Sequence, residues 1–278
     1  MSLELCILAS GSSGNAAILR TPNGTILIDA GIGPRTTALR MVGTGNSLGD
    51  VRAICLTHLD RDHFSHTWFE TLAKRGIALF CHESRLDDLR AMAGDAAAEI
   101  RTFNGKLFQP IDDVRFRAIP LAHDQTGSHG FLIEGFNCRI GYATDLGHVP
   151  GKLLEIFRGV DVLALESNYD PQMQVGSDRP QFLKSRIMNG KGHLSNEQAF
   201  AAIRAILDRC EKSRDRLPQH IVLLHRSRQC NCPKILRKLF ESDSRIARRL
   251  TLAEQFVRSQ WLAVGERRPL VGEQLLMY

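Results

Sequence analysis

Short apolar runs of strand length, broken by polar clusters, fill the first half of the chain. Leu3–Ser10, Ala16–Thr21 and Thr25–Asp29 are predicted as strands, separated by Gly11-Ser12-Ser13-Gly14 and by Pro22-Asn23-Gly24, the latter with the composition of a hairpin turn. Ala53–Thr57 is another apolar run that ends in polar residues, and Val114–Leu121, Gly130–Glu134 and Cys138–Thr144 predict three more strands. His63–Arg75 and Glu83–Met92 carry helical spacing. The second half alternates. Pro150–Phe157 predicts a helix and Val160–Glu166 a buried strand. Ser195–Arg209 predicts a helix with Ser195 as N-cap and Gln198 completing a capping box. His220–Leu224 follows as a strand, and Pro233–Phe240 as a helix with proline at its first position. Strands first, then alternating strand and helix, without repeats or linker, predict an α/β fold of stacked sheets with helices outside, in one domain spanning residues 1–278.

Composition narrows the setting. At 43% hydrophobic and a net charge of only +6, the chain is too apolar for intrinsic disorder. No run approaches the ~18 apolar residues of a membrane span, so no membrane association is expected. The N-terminal MSLELCILAS has no basic stretch and carries Glu4 inside its apolar run, which does not read as a secretory signal. The seven cysteines are odd in number and mostly sit in apolar runs, as reduced core thiols of a cytoplasmic protein do. Cys230-Asn231-Cys232 is the only close pair, and it lacks the second pair of a zinc knuckle, so a local structural role is expected. The charge is uneven: Arg204 to Arg268 holds 16 Lys/Arg against 7 Asp/Glu. A basic C-terminal third suits a polyanionic partner such as nucleic acid, or a solvated surface.

The candidate chemistry sits where apolar runs end. Asp29 ends TILIDAG, His58 ends AICLTH, His123 ends FRAIPLAH, Asp145 follows RIGYATD, Glu166 ends DVLALE and His225 ends HIVLLH. Strand ends along one edge deliver side chains to a shared cleft. The densest segment is Thr57-His58-Leu59-Asp60-Arg61-Asp62-His63, where alternate residues of an extended loop share a face and His63 opens the predicted helix. Imidazole and carboxylate are ligands of borderline and hard divalent metals, and these groups with the distant ones suffice for two ions.

These residues resemble the metallo-β-lactamase superfamily from Ser10 to about Pro233. Its HxHxDH hallmark is matched by His58-x-Asp60-x-Asp62-His63, with aspartate where a histidine is expected. SGSSGN (Ser10–Asn15), LIDAG (Leu27–Gly31), YATDLG (Tyr142–Gly147), LESN (Leu165–Asn168) and GHLSN (Gly192–Asn196) resemble the YycJ/WalJ branch of nucleases. That branch's HLS..NNxP signature is altered here, to His225-Arg226-Ser227 and Cys230-Asn231-Cys232-Pro233. The resemblance implies a four-layer αββα sandwich and a metal-dependent phosphodiesterase, a DNA exonuclease, that uses hydroxide activated by two divalent ions (Mn²⁺, Zn²⁺ or Fe²⁺). It implies His58, Asp60 and His123 on one ion, Asp62, His63 and His225 on the other, and Asp145 between them. Asp62, His193 and Glu166 are the implied catalytic residues. His193 would protonate the leaving oxygen and Glu166 would orient it, while Asp29 would fix the tautomer of a ligating histidine.

Asp60 adds one negative charge and a hard oxygen to the first ion's ligands, which favours manganese or iron(II) over zinc. His66, one turn beyond His63, could partly replace the missing imidazole. The Gly11–Asn15 turn could offer N–H donors to a phosphate or simply be a tight turn. Lys184, Arg186 and Lys191 could contact a nucleic-acid backbone. Rival readings share the metals: an RNase Z-like enzyme, whose basic arm has no counterpart here, or a small-molecule ester or cyclic phosphodiester hydrolase, which would need an apolar lid. DNA is the favoured substrate over RNA.

Overall fold

The computed structural model describes residues 3–264. The predicted domain over residues 1–278 therefore extends beyond the described residues at both ends. The first sheet contains β1 (Glu4–Ala9), β2 (Ala16–Thr21), β3 (Gly24–Ile28), β4 (Val51–Cys55), β5 (Ala78–His82) and β6 (Ile100–Phe103). The second contains β7 (Leu107–Ile111), β8 (Val114–Leu121), β9 (Ser128–Gly135), β10 (Cys138–Ala143), β11 (Val162–Glu166), β12 (His220–Leu224) and β13 (Leu250–Leu252). A short β14 (Leu262–Ala263) returns to pair with β1, so the sheet orders are β14-β1-β2-β3-β4-β5-β6 and β13-β12-β11-β10-β9-β8-β7. Each sheet is antiparallel in its early strands and parallel from β3 to β6 or from β10 to β13. The parallel strands therefore end on the same edge of their sheet, the edge at which ligand-binding loops gather in α/β folds.

Four layers result. Between the sheets, alternate residues of both inner faces meet, among them Ile7, Leu19, Ile28, Phe116, Phe131, Tyr142, Val162 and Leu224. Outside the first sheet lie α1 (Pro34–Met41), α2 (Trp68–Arg75) and α3 (Leu86–Ala93), which bury Met41, Trp68, Leu72 and Leu89 against it. Outside the second lie α4 (Gly151–Ile156), then α5 (Pro171–Gly176) and α6 (Gln181–Met188) beside the strand ends, then α7 (Asn196–Ser213), α8 (Pro233–Phe240) and α9 (Ser244–Ala247). Ile203, Ile206, Leu207, Leu236 and Phe240 of α7 and α8 cover the outer face of that sheet. The expected αββα sandwich is the fold.

Several elements differ from their sequence prediction for local reasons. Helical spacing over His63–Arg75 yields a helix only from Trp68, because the preceding backbone is already committed. The Asp62 carbonyl accepts from Asn15 N–H (2.6 Å), the His63 carbonyl from Ala30 N–H (2.8 Å), and the His63 and Phe64 amides turn back to the Asp60 carbonyl. Neither carbonyl is left for a helical ladder. The Glu83–Met92 stretch divides into one 3-10 turn at Glu83–Arg85 and then α3. The capping box at Ser195 forms as predicted, and α7 runs on to Ser213, where Arg214 adopts a left-handed φ of 58°. The short α5 and α6, the strand β5 and the edge strands β6 and β7 carry too little periodicity to be read beforehand.

Candidate metal centre

The polar strand ends converge. Asp29 follows β3; His58, Asp60, Asp62 and His63 lie on the loop after β4; His123 follows β8, Asp145 follows β10, Glu166 ends β11 and His225 follows β12. Three of them turn the chain sharply at the strand end, with left-handed φ at Asp29 (60°), Asp145 (53°) and His225 (51°). That conformation costs a non-glycine residue about 1–2 kcal/mol, so the surrounding contacts must impose it. His58, Asp60, Asp62, His123, Asp145 and His225 line a cavity of 430 Å³ together with Ser12, Asp124, Asn168, Arg179, Arg186, His193, Ser227 and Gln229, and Asp29, His63 and Glu166 lie behind them, wholly buried.

Two triads of possible ligand atoms sit side by side: His58, Asp60 and His123, then Asp62, His63 and His225, the atoms of each lying within 4.8 Å of one another. Asp145 reaches both, being grouped with His58 and His63 and also with Glu166, His193 and His225. Its Oδ2 lies 2.6 Å from His63 Nε2 and its Oδ1 3.5 Å from His225 Nε2. Asp62 Oδ2 lies 3.2 Å from His225 Nε2 and 3.7 Å from His63 Nε2. Asp60 Oδ2, on the open side with 44% exposure, stands 3.7 Å from His58 Nε2 and 3.9 Å from His123 Nε2. His58 Nε2 is buried and has no hydrogen-bond partner. A buried imidazole nitrogen left unpaired beside a carboxylate fits a cation site, since otherwise its desolvation is uncompensated.

Hydrogen bonds fix the rings. His63 Nδ1 is 2.8 Å from Asp29 Oδ2, and Asp29 also accepts from the Thr57 amide at 2.8 Å, so the far nitrogen of His63 faces the cavity. Thr57 Oγ1 lies between the Asp29 carboxylate and His58 Nδ1, 3.0 Å from each. His123 Nδ1 donates to the Gly192 carbonyl at 2.9 Å. His193 Nδ1 is 2.7 Å from Glu166 Oε1 and 3.2 Å from Asp145 Oδ1, and Glu166 is wholly buried and also accepts from the Leu146 amide at 3.1 Å.

Protonation follows this crowding. Burial alone would lift the Asp145 carboxyl, but His225 and His63 outweigh it and hold the group well below the usual range. Burial would likewise lower the His63 pKa, yet Asp145 and Asp29 raise it well above normal. His58 goes the other way: burial, with His63 beside it, keeps the ring neutral. Burial opposes charge on His193, but Glu166 and Asp145 overcome it and hold the pKa up to about 10. The cavity is built around concentrated negative charge, which raises the pKa of His63, His193 and His225 against the opposing effect of burial.

Other sequence candidates fall elsewhere. In the Gly11–Asn15 turn four amides are bonded within the protein: Gly11 to Asn15 Oδ1, Ser13 to Gln255 Oε1, Gly14 to the Gly11 carbonyl and Asn15 to the Asp62 carbonyl. Those bonds brace the metal loop, and Ser12 of the same turn lines the cavity. His66 is exposed and belongs to none of the ligand groups, so it does not replace the missing imidazole. His82 and His129 stack at 4.3 Å, and His148 and His220 bond backbone carbonyls. Lys184 bonds the Val175 carbonyl, Arg186 pairs with Asp124, and Lys191 is exposed. Cys230 and Cys232 are free thiols, and Asn231 between them bonds the Ser167 and Asn168 carbonyls and Asn196. Sequence reading missed Asn15, whose Nδ2 lies 2.9 Å from His63 Nε2, and Asn168, whose Nδ2 lies 3.0 Å from His225 Nδ1. Both stand in quoted motifs, which was the available signal.

With this geometry in hand, comparison with known proteins gives consistent relatives. A family model described as the beta-lactamase superfamily domain matches residues 24–221. The chain is 25% identical over 239 residues to the exodeoxyribonuclease YycJ of Bacillus anthracis, covering 85% of this chain and 87% of that protein. It is 26% identical over 216 residues to the exodeoxyribonuclease WalJ of Streptococcus pneumoniae, covering 76% and 80%. Among solved structures, the metallo-beta-lactamase fold protein YhfI from Bacillus subtilis superimposes with a TM-score of 0.68 at 11% identity, over 94% of this chain and 100% of that one.

Proposed function

Because the chain belongs to the beta-lactamase superfamily domain family, we propose that its cavity hydrolyses phosphodiester bonds of DNA, as a metal-dependent exonuclease of the YycJ/WalJ branch. The protein is a metal-dependent hydrolase, and its fold implies divalent metal ions. The observation that carries the reading is the pair of His/Asp triads meeting at Asp145, with the His193–Glu166 pair beside them. His58, Asp60 and His123 would hold one ion, Asp62, His63 and His225 a second, and Asp145 both. Such ions, when bound, would supply a lowered pKa for a coordinated water and neutralisation of phosphoryl charge.

The chain's own residues supply the rest. Asp29 and the Gly192 carbonyl hold His63 and His123 through Nδ1 and present Nε2 to the cavity. Glu166, anchored by the Leu146 amide, keeps a proton on His193 Nδ1 and orients the ring. His193 then donates a proton to the departing sugar oxygen. Seven free cysteines suit a reducing cytoplasm. The carboxylate at Asp60 suits manganese or iron(II) better than zinc.

The direct test is purified protein with Mn²⁺ against 5′-phosphorylated duplex DNA, single-stranded DNA, pre-tRNA and bis(p-nitrophenyl) phosphate, with Asp62→Asn as the control for contaminants. Duplex degradation from an end supports the reading; cleavage of pre-tRNA alone or of the generic diester alone overturns it. A p-nitrophenolate leaves without needing a proton. His193→Ala should therefore cost about 100-fold or more on DNA and much less on bis(p-nitrophenyl) phosphate. For the metal, elemental analysis of Asp60→His should show tighter zinc retention through dialysis than wild type; stoichiometric zinc in wild type at the outset defeats the manganese preference.

A further inference from the structure

Arg179, on the segment between α5 and α6, is the one guanidinium lining the cavity that has no carboxylate partner among the described residues. The other lining arginine, Arg186, is neutralised by Asp124, with Nε 3.0 Å from Oδ1. Arg179 is nonetheless fixed in place. Its Nε donates to Gln229 Oε1 at 3.0 Å, Nη1 to Gln174 Oε1 at 3.1 Å and Nη2 to Ser227 Oγ at 3.3 Å. All three acceptors are neutral. Gln174 is fully buried, and in turning Oε1 to Arg179 it leaves its own Nε2 without a partner. Leaving a buried donor unmade is costly, and here it goes with holding a guanidinium rather than with packing.

A guanidinium has five N–H donors, so the three bonds leave two N–H groups uncommitted. Ser227 Oγ accepts from both Arg179 and the Cys230 amide (3.1 Å), which leaves its own hydrogen free to donate. Ser227 is two residues from His225, so this donor set adjoins the metal centre without containing any of the proposed ligands. A fixed, uncompensated cation with a hydroxyl donor beside it is suited to a tetrahedral oxyanion.

We propose that Arg179, together with the Ser227 hydroxyl, binds a second phosphate of the substrate strand, one not being cleaved, and so sets which stretch of strand enters the cavity. The proposal rests on the phosphodiesterase reading above. The second phosphate is either a terminal monoester or the next internal diester; both present the same oxygens.

The test is calorimetric binding of two probes, thymidine 3′,5′-bisphosphate and thymidine 5′-monophosphate, to the Mn²⁺-loaded wild type, Arg179→Gln and Arg179→Lys. Removing Arg179 should weaken the bisphosphate about tenfold or more while the monophosphate changes less than about twofold. Arg179→Lys should recover part of the loss, because it keeps the charge and loses the fork. Equal weakening of both probes, or of neither, overturns the proposal, and thermal melts of both variants identify a folding defect. Kinetics on duplex ends then separate the sources. A raised KM confined to 5′-phosphorylated ends identifies a terminal phosphate, and a raised KM on 5′-hydroxyl ends as well identifies an internal one. If wild type cleaves no DNA, the nuclease reading fails, while the ratio of the two probes still decides the role of Arg179.

Discussion

At the scale of single residues, the site depends on close backbone approach as much as on ligands. A Cβ built at Gly31 would stand 1.7 Å from the Asp62 carbonyl oxygen and 2.8 Å from the Asn15 amide nitrogen, so only glycine lets the strand end lie against the metal loop. Gly31→Ala should displace Asp62 and His63, lower stability by about 1–3 kcal/mol in urea titration and lose bound metal by elemental analysis. An unchanged metal content would show that the loop has another support. His129 gives a stability prediction away from the ligands. Burial and the stacked His82 depress its pKa to about 4, below the ordinary 6.5. Between those values the unfolded chain binds the proton and the folded one does not. The stability contributed by neutral His129 is therefore complete above about pH 6.5 and is lost as pH falls through 4. His129→Phe should flatten that limb of the stability curve by up to about 3 kcal/mol, a ceiling because the ring is partly exposed; an unchanged slope would place the acid sensitivity elsewhere.

At the scale of elements, α7 is tied to the chemistry through its N-terminus. Ser195 Oγ accepts from the Gln198 amide at 3.2 Å, and Gln198 Oε1 accepts from the Ser195 amide at 2.8 Å. Two residues earlier stands His193, and one residue later the buried Asn196 bonds Ser167 and Asn231. The cap thus fixes both a helix start and the ring that faces Asp145. Ser195→Ala should cost about 1 kcal/mol by thermal unfolding and lower kcat on DNA more than KM, since substrate contacts are untouched. A change in KM alone would separate the cap from His193. The start of this element was legible, because capping chemistry is local. The helix expected at His63 was not, because the backbone carbonyls that cancel its first turn are claimed by Asn15, just before β2, and Ala30, just after β3.

For the whole molecule, the basic C-terminal third is less uniform than its composition suggested. Arg209 pairs with Glu155, Arg237 with Glu241, and Arg245 with Asp208, Glu211 and Asp243, so much of the positive charge on the outer helices is compensated. The net charge of +6 still predicts electrostatic attraction to a phosphate backbone. Binding of duplex DNA by Asp62→Asn, followed by fluorescence anisotropy, should weaken with salt along a line in log K against log concentration, with slope near −0.9 per phosphate contacted. A salt-independent affinity would remove the polyanion argument and shift weight to a small-molecule substrate. No helix among the described residues is long and apolar enough to cross a membrane.

The sequence by itself determined most of the inner strands, the capped α7 and the identity of the residues that gather at the cavity, because strand-end polarity and capping motifs are encoded within a few neighbouring positions, while the αββα layering was legible through the family resemblance. Only the tertiary structure decided which histidine nitrogens face inward, that the glycine–serine turn braces Asp62, that His66 stands apart, and that Arg179 is left without a counter-charge. Those outcomes depend on bonds between residues tens to hundreds of positions apart, such as Asn15 to His63 or Ser10 to His225, and packing rather than local pattern selects them.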